Sequence, residues 1–511
     1  MRRHLTTVAL AAIFTTSGAA MGADVRIETP ARQDAWWARG EAEVAANADK
    51  INRQTRAKNV ILFVGDGMGI STITAARIFE AQQRAKAAGG SYPGFAGGEE
   101  NLLSFEKLPA TALVKTYNTN AQVPDSAGTA TAMTTGVKTR IGVLGLLENQ
   151  GAEACRTPEA WPRTIGEIAR EQGMGLGIVS TTRITHATPA AVYAHVPARD
   201  WEASDKYYPV VDRESGCVDI ARQLTGFRGG FDVALGGGRA RFLPEKAGGT
   251  RDDGRNLLTE WKKVNRRGVV PTDAAAFRAL NPEKTGPVLG LFADSHIAFR
   301  HDRNAAEQPS LEEMTSFAVR KLQARSKKDG KGYFLMVEAG RIDHAHHLTN
   351  AWRALDETVE LARAVEETLK LVDLADTLVL VTADHSHVFT IAGYPPRGNN
   401  ILGHIRPVHG GEGATQTDAQ GNQLNLDGKP MTTLGYRNGP REAHADGKHL
   451  SGDLPPNDPD YLADKLDALQ SETHAGEDVA LFAAGPGSEL VSGTIEQHSI
   501  FHIMARALGW R

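Results

Sequence analysis

The chain has 511 residues, a formal net charge of −4 and two cysteines, enough length for a sizeable core in one large domain or several. No block of like charge reads as a nucleic-acid tail or a polybasic membrane patch, and no segment after the amino terminus reaches the roughly 18 to 20 consecutive apolar residues of a membrane span.

In chain order, Met1-Arg2-Arg3-His4 leads into an apolar, small-residue run from Leu5 to Ala20. This is the pattern of a secretory signal peptide over residues 1–22 and predicts a secreted or periplasmic protein. Residues 23–58 are polar and alanine-rich and read as an N-terminal arm, with Trp36 and Trp37 anchoring a helix to the body or to a second subunit. Asn59 to Val64 is a continuous apolar run suited to a strand buried on both faces. It ends in Gly65-Asp66-Gly67-Met68-Gly69, with a helix from about Ser71. Asp66 thus stands exposed between glycines at a strand's carboxyl end, an arrangement that also fits an ordinary Asx-turn.

Thr111 to Tyr117 predicts a second strand, feeding the loop Val123-Pro124-Asp125-Ser126-Ala127-Gly128. After Asp125-Ser126 every side chain through Gly136 except Met133 is small, so a ligand can approach closely. A helix starting here would aim unpaired backbone N–H groups and its positive dipole end at the Ser126 hydroxyl, favouring an alkoxide and a bound oxyanion. On its own Ser126 reads first as the N-cap of a packing helix, and only the rest of the chain favours the nucleophile. Cys155 and Cys217, an even count in an exported chain, invite a disulfide, with buried free thiols as the alternative.

Met174 to Thr182 predicts a third strand, opening into Thr185-His186-Ala187-Thr188-Pro189, and Arg199 follows on a loop where a lone arginine is usually solvated. Phe231 to Leu235 runs into three glycines, read as a turn because the full nucleotide fingerprint is missing. After an amphipathic helix at Pro309 to Ala324, the strand Gly332 to Val337 ends in Glu338-Ala339-Gly340-Arg341-Ile342-Asp343-His344-Ala345-His346-His347. Asp343 and His347 are spaced to share one helix face and hold one ion. A helix at Ala351 to about Val372 and a strand at Thr377 to Val381 lead to Asp384-His385. Residues 393–471 turn to Gly, Asn, Pro and charged residues and read as a loop-rich insertion. The core resumes over 472–511 with His474, a strand at Val479 to Ala483 and a closing helix from about Ile495 to Leu508.

Alternating buried strands and helices predict an α/β fold, a mostly parallel central sheet with helices on both faces, binding ligands beyond the carboxyl ends of its strands. Asp66, Ser126, Thr188, Glu338, Asp384 and His385 all fall at or just after such ends. Mixed Asp and His ligands favour zinc, and an all-oxygen set of Asp, Thr and Glu favours magnesium. Two zinc ions about 4 Å apart suit an in-line displacement, one activating a serine and one holding the leaving oxygen.

The stretches FVGDGMGISTITAARI, VPDSAGTATA, THATPAAVYAHV, VEAGRIDHAHH, VTADHSHVF and ETHAGEDVALFAAGPG resemble the alkaline phosphatases, from about Asn59 to the C-terminus and closer to the animal than to the enteric bacterial type. The resemblance implies a homodimer that hydrolyses phosphate monoesters at alkaline pH through a phosphoserine at Ser126. It implies one zinc on Asp343, His347 and His474 and a second on Asp66, Asp384 and His385. One magnesium is implied on Asp66, Thr188 and Glu338, and Arg199 as a phosphate clamp oriented by Asp125. It makes 59–392 with 472–511 the catalytic domain and 393–471 a crown-like insertion, and it pairs Cys155 with Cys217. His186 and His344 stand beside the substrate, where the enteric type carries Asp and Lys, which implies weaker magnesium and phosphate binding. The animal type's calcium site uses an acid after Leu-Phe, where this chain has Ala293, so calcium is not carried over, and neither is that type's lipid-anchor tail. A phosphodiesterase of the same superfamily, or an exported phosphate- or zinc-binding protein without turnover, is the alternative. A sulfatase lacks its CxPxR-like motif here.

Overall fold

The computed structural model describes residues 27–48, 56–89, 98–208, 213–214, 216–408 and 416–510; the signal-peptide segment, residues 1–22, lies outside the described residues. Nine strands form one sheet: β1 (Asn59–Gly65), β2 (Ala110–Lys115), β3 (Gly175–Arg183), β4 (Val233–Gly237), β5 (Val288–Leu291), β6 (Tyr333–Ala339), β7 (Thr377–Ala383), β8 (Val479–Ala484) and β9 (Ser492–Glu496), in the order β9-β2-β8-β7-β1-β6-β3-β4-β5. Every neighbouring pair is parallel except the two made by β8, which runs antiparallel to β2 and β7.

The middle of the sheet follows from composition. β1, β6 and β7 are buried at every position, and their unbroken apolar runs have no polar face to offer solvent, so helices must cover both sides. In register, Val60 stands beside Phe334 on one side and Leu378 on the other. This brings the strand ends at Gly65, Ala339 and Ala383 level.

Two helices that pack against each other cover one face of this centre. Leu311–Asp329 starts with a capping box between Ser310 and Glu313 and runs past the expected end at Ala324, because helix-forming polar residues continue until Gly330 turns left-handed at φ 75°. Ala351–Leu371 is capped by Asn350 and buries Leu355, Val359 and Ala362. The closing helix is Ser499–Ala507, not Ile495 to Leu508. Ile495 and Glu496 belong to β9, which pairs with β2, and the exposure of Ser492, Gly493 and Thr494 left no apolar run to mark it.

The N-terminal helix Ala35–Ala48 is anchored to the body: Trp37 is buried, its ring centre 5.4 Å from Phe501 and 4.8 Å from His502. Within 393–471, Leu434–Gly439 pairs with Phe389–Ile391 and Asp464–Ala468, and Ala443–Ala445 pairs with Lys448–Leu450 in a hairpin. Cys155 and Cys217 form a disulfide. Among the described residues no helix is long and apolar enough to cross a membrane.

Candidate active site and metal centre

Three clusters of metal-capable groups converge at the carboxyl ends of β1, β3, β6 and β7. The first comprises Asp343, His347, His387 and His474, with ligand atoms within 4.8 Å of one another. His347 Nδ1 donates to the Glu472 carbonyl at 2.6 Å and His474 Nδ1 to the Pro124 carbonyl at 2.8 Å. Both rings are thereby held in the tautomer whose Nε2 lone pair faces Asp343, at 3.3 and 3.2 Å. The two Nε2 atoms stand 3.1 Å apart, a repulsive arrangement that a shared cation resolves. Burial acts to raise Asp343, but the imidazoles around it, His347 first and then the hydrogen-bonded His387, hold it well below the usual carboxylate range.

His387 plays a different part. Its Nδ1 lies 2.6 Å from the Glu472 carboxylate and its Nε2 2.8 Å from Asp343. Against the effect of burial, the two acids push the imidazole up to about 10, so it is a charged donor that orients Asp343. The sequence alone assigns this histidine no role. The signal was its place two residues beyond His385, in a short strand that sets it opposite His474.

The second cluster is Asp66, Asp384 and His385, all fully buried. His385 Nε2 lies 3.4 Å from Asp66 and 3.3 Å from Asp384. Gly67, at φ 72°, lets the chain turn directly behind Asp66 and donates its N–H to Asp384 at 3.0 Å. A Cβ there would stand 2.4 Å from the His387 ring, so only glycine fits between the two clusters.

The third cluster is Asp66, Glu338 and His186. Asp66 Oδ2, Glu338 Oε1, Thr188 Oγ1 and His186 Nδ1 are buried without hydrogen-bond partners, and Thr188 faces Glu338. Burial pushes Glu338 up to about 7 despite hydrogen bonds from Ser180 and Thr182. Burial also raises Asp66, with repulsion from Asp384, Asp343 and Glu338 adding to it. Buried acids and orphaned oxygens in this number are costly unless cations compensate them. The donor chemistry matches that need: the first two clusters mix imidazole with carboxylate, and the third is predominantly oxygen.

Ser126 begins the helix Ser126–Thr135, but it is not the cap. Asp125 is the N-cap, accepting the Gly128 N–H at 3.1 Å. The Ser126 hydroxyl is therefore released from capping, and it lies 3.2 Å from His385 Nε2 and 3.5 Å from Asp66. Arg199 is likewise no solvated surface residue: Nη1 donates to Asp125 at 3.0 Å and Nη2 to His186 Nε2 at 3.1 Å. A cavity of about 440 Å³ opens over Ser126, lined among others by His186, Arg199, His344, His347 and His474. Arg183, Asp200 and Glu202, which sequence reasoning passed over, form another of its walls.

A family model for alkaline phosphatase matches residues 57–510. The chain is 42% identical to the tissue-nonspecific alkaline phosphatase of Gallus gallus over 490 residues, covering 92% of this chain and 89% of that protein. It is 40% identical to the alkaline phosphatase of Gadus morhua over 486 residues, covering 92% and 95%. Among solved structures it is similar to Thermus thermophilus alkaline phosphatase, at 25% identity and a TM-score of 0.61, covering 89% of this chain and 92% of that one.

Proposed function

The chain belongs to the alkaline phosphatase family, and from that premise we propose that Ser126 is the nucleophile of a phosphomonoester hydrolase whose intermediate is a phosphoserine. The observation that carries the assignment is the freed hydroxyl. With Asp125 taking the cap, Ser126 Oγ is left at the helix mouth facing His385 and Asp66.

Asp343, His347 and His474 would hold one zinc ion, Asp66, Asp384 and His385 a second, and Asp66, Thr188 and Glu338 a magnesium ion. When bound, such ions lower the pKa of the attacking hydroxyl or water and neutralise charge on the leaving oxygen. Ser126 Oγ attacks phosphorus as the bond to the ester oxygen breaks, and water then cleaves the phosphoserine to release inorganic phosphate. Arg199, fixed by Asp125 and His186, presents its planar fork to two phosphate oxygens. A dianionic terminal phosphate gains most from that fork, so monoesters should turn over faster than diesters. The N–H groups at the start of Ser126–Thr135 add the positive end of a helix dipole, and His186 and His344 complete the substrate wall.

Residues 59–392 with 472–511 form the catalytic unit and 393–471 its crown-like insertion, in a homodimer exported after loss of residues 1–22. Ser126→Ala should cut monoester hydrolysis by at least about a thousandfold while the purified protein keeps its zinc. Activity within tenfold of the wild type would overturn the assignment.

A further inference from the structure

Arg341, the first residue of the helix Arg341–His347, is 8% exposed, and its guanidinium carbon lies 3.7 Å from the centre of the Phe299 ring. Nη1 donates to His344 Nδ1 at 3.1 Å, and Nη2 reaches both carboxylate oxygens of Asp446, at 3.3 and 3.4 Å. Asp446 Oδ2 also accepts the Phe299 backbone N–H at 2.8 Å. Asp446 and Gly447, at φ 48° and 84°, form the turn of the insertion's hairpin, a pair suited to a tight two-residue connection. The inner face of that hairpin, Ala443, Ala445 and Leu450, packs with Phe299 and Ala345 in a small core of its own. The hairpin is thus seated on the helix that carries Asp343 and His347, and through Arg341 its tip is linked to His344, which lines the cavity over Ser126.

The direction of these hydrogen bonds matters. A guanidinium only donates, so His344 Nδ1 must accept, and the ring's proton resides on Nε2. We propose that Asp446, contributed by the insertion, is a positioning residue that acts through Arg341 to hold His344 as an Nε2–H donor toward phosphate in the cavity. The Asp446 carboxylate fixes one edge of the guanidinium and Phe299 one face, leaving the remaining edge with a single orientation toward His344. Without Asp446 the guanidinium can swing off His344, which is then free to rotate or to exchange its tautomer. The proposal rests on the reading of this cavity as the phosphate site.

The experiment is a two-residue cycle on the full-length, metal-loaded protein, measuring competitive inhibition by inorganic phosphate. Asp446→Gly suits the positive φ of the turn, so it removes the carboxylate without straining the backbone. Asp446→Gly and His344→Ala are each expected to weaken phosphate inhibition roughly five- to tenfold, with zinc content held. The double variant should be no weaker than His344→Ala alone, and Asp446→Asn, which keeps one acceptor oxygen, should restore part of the loss. Imidazole nitrogen NMR should show a single Nε2–H tautomer at His344 in the wild type and a mixture in Asp446→Gly. Full additivity in the double variant, or unchanged phosphate inhibition and tautomer in Asp446→Gly, would overturn the relay while leaving Ser126 and Arg199 as assigned. No effect of His344→Ala on phosphate would overturn both the relay and the role of His344 at the substrate wall.

Discussion

His387 binds Asp343 and Glu472 at once, and the first metal cluster depends on that bridge. Asp343 must present one oxygen to His347 and His474 from a buried position, and without a charged donor behind it the carboxylate is free to rotate. Glu472 serves twice, its carbonyl fixing His347 and its carboxylate fixing His387. Removing His387 therefore leaves two buried acids facing each other, and His387→Ala should weaken metal retention roughly 10- to 100-fold. Chelator competition against the purified protein measures this directly, and unchanged retention would show that Asp343 needs no orienting partner. This part of the site was hidden in the sequence for a physical reason. The contacts that define it span 44 and 85 positions, and only the fold brings them together.

At the scale of single elements, the start of the helix Ser126–Thr135 joins local and long-range demands in one residue. Asp125 caps the helix, accepts the Gly142 N–H at 3.0 Å and anchors Arg199; burial works to raise its carboxyl, but Arg199 first, then the Gly142 and Gly128 N–H groups, hold it below the ordinary carboxylate range. Asp125→Asn keeps the cap acceptor and loses the charge, whereas Asp125→Ala loses both. Thermal unfolding should show Asp125→Ala about 1 kcal/mol less stable than Asp125→Asn, while both weaken phosphate inhibition. Equal stability of the two variants would mean that Asp125 contributes no cap. The strands that carry the site were legible because β1, β6 and β7 hold unbroken apolar runs over 60–64, 333–337 and 378–381 that give way abruptly to polar residues. Strands β5 and β9 were not, since Val288–Leu291 is only four residues long and β9 is exposed over its first three. The capping role was given to Ser126 as the bland alternative because Asp and Ser adjoin and either can cap. The hydrogen bond from Gly128 decides for Asp125.

Across the whole molecule, the N-terminal helix covers a buried charge cluster that ties stability to pH. Trp36 packs edge-on against Tyr117 and His498, and Lys138, 2% exposed, lies over the Tyr117 ring at 3.5 Å and 3.2 Å from Glu496. Burial pushes Lys138 down to about 8, although Glu496 opposes the shift. The folded state therefore holds this proton less tightly than the unfolded chain, whose lysine titrates near 10.5. Between those two values the unfolded state binds more protons, so the contribution of Lys138 to stability rises with pH across that window. Lys138→Met should remove this rise, making the difference in melting temperature between wild type and variant shift in favour of the wild type from pH 8 to pH 10. A difference independent of pH would contradict the assignment. The central claim, that the helix mouth holds the nucleophile, is tested most directly by incubating the metal-loaded protein with radiolabelled phosphate monoester, quenching in acid and mapping the labelled peptide. One covalent label is expected, on Ser126, lost in Ser126→Ala; a label on any other residue, or full turnover with no covalent label under any quench time, would rule out Ser126 as the nucleophile.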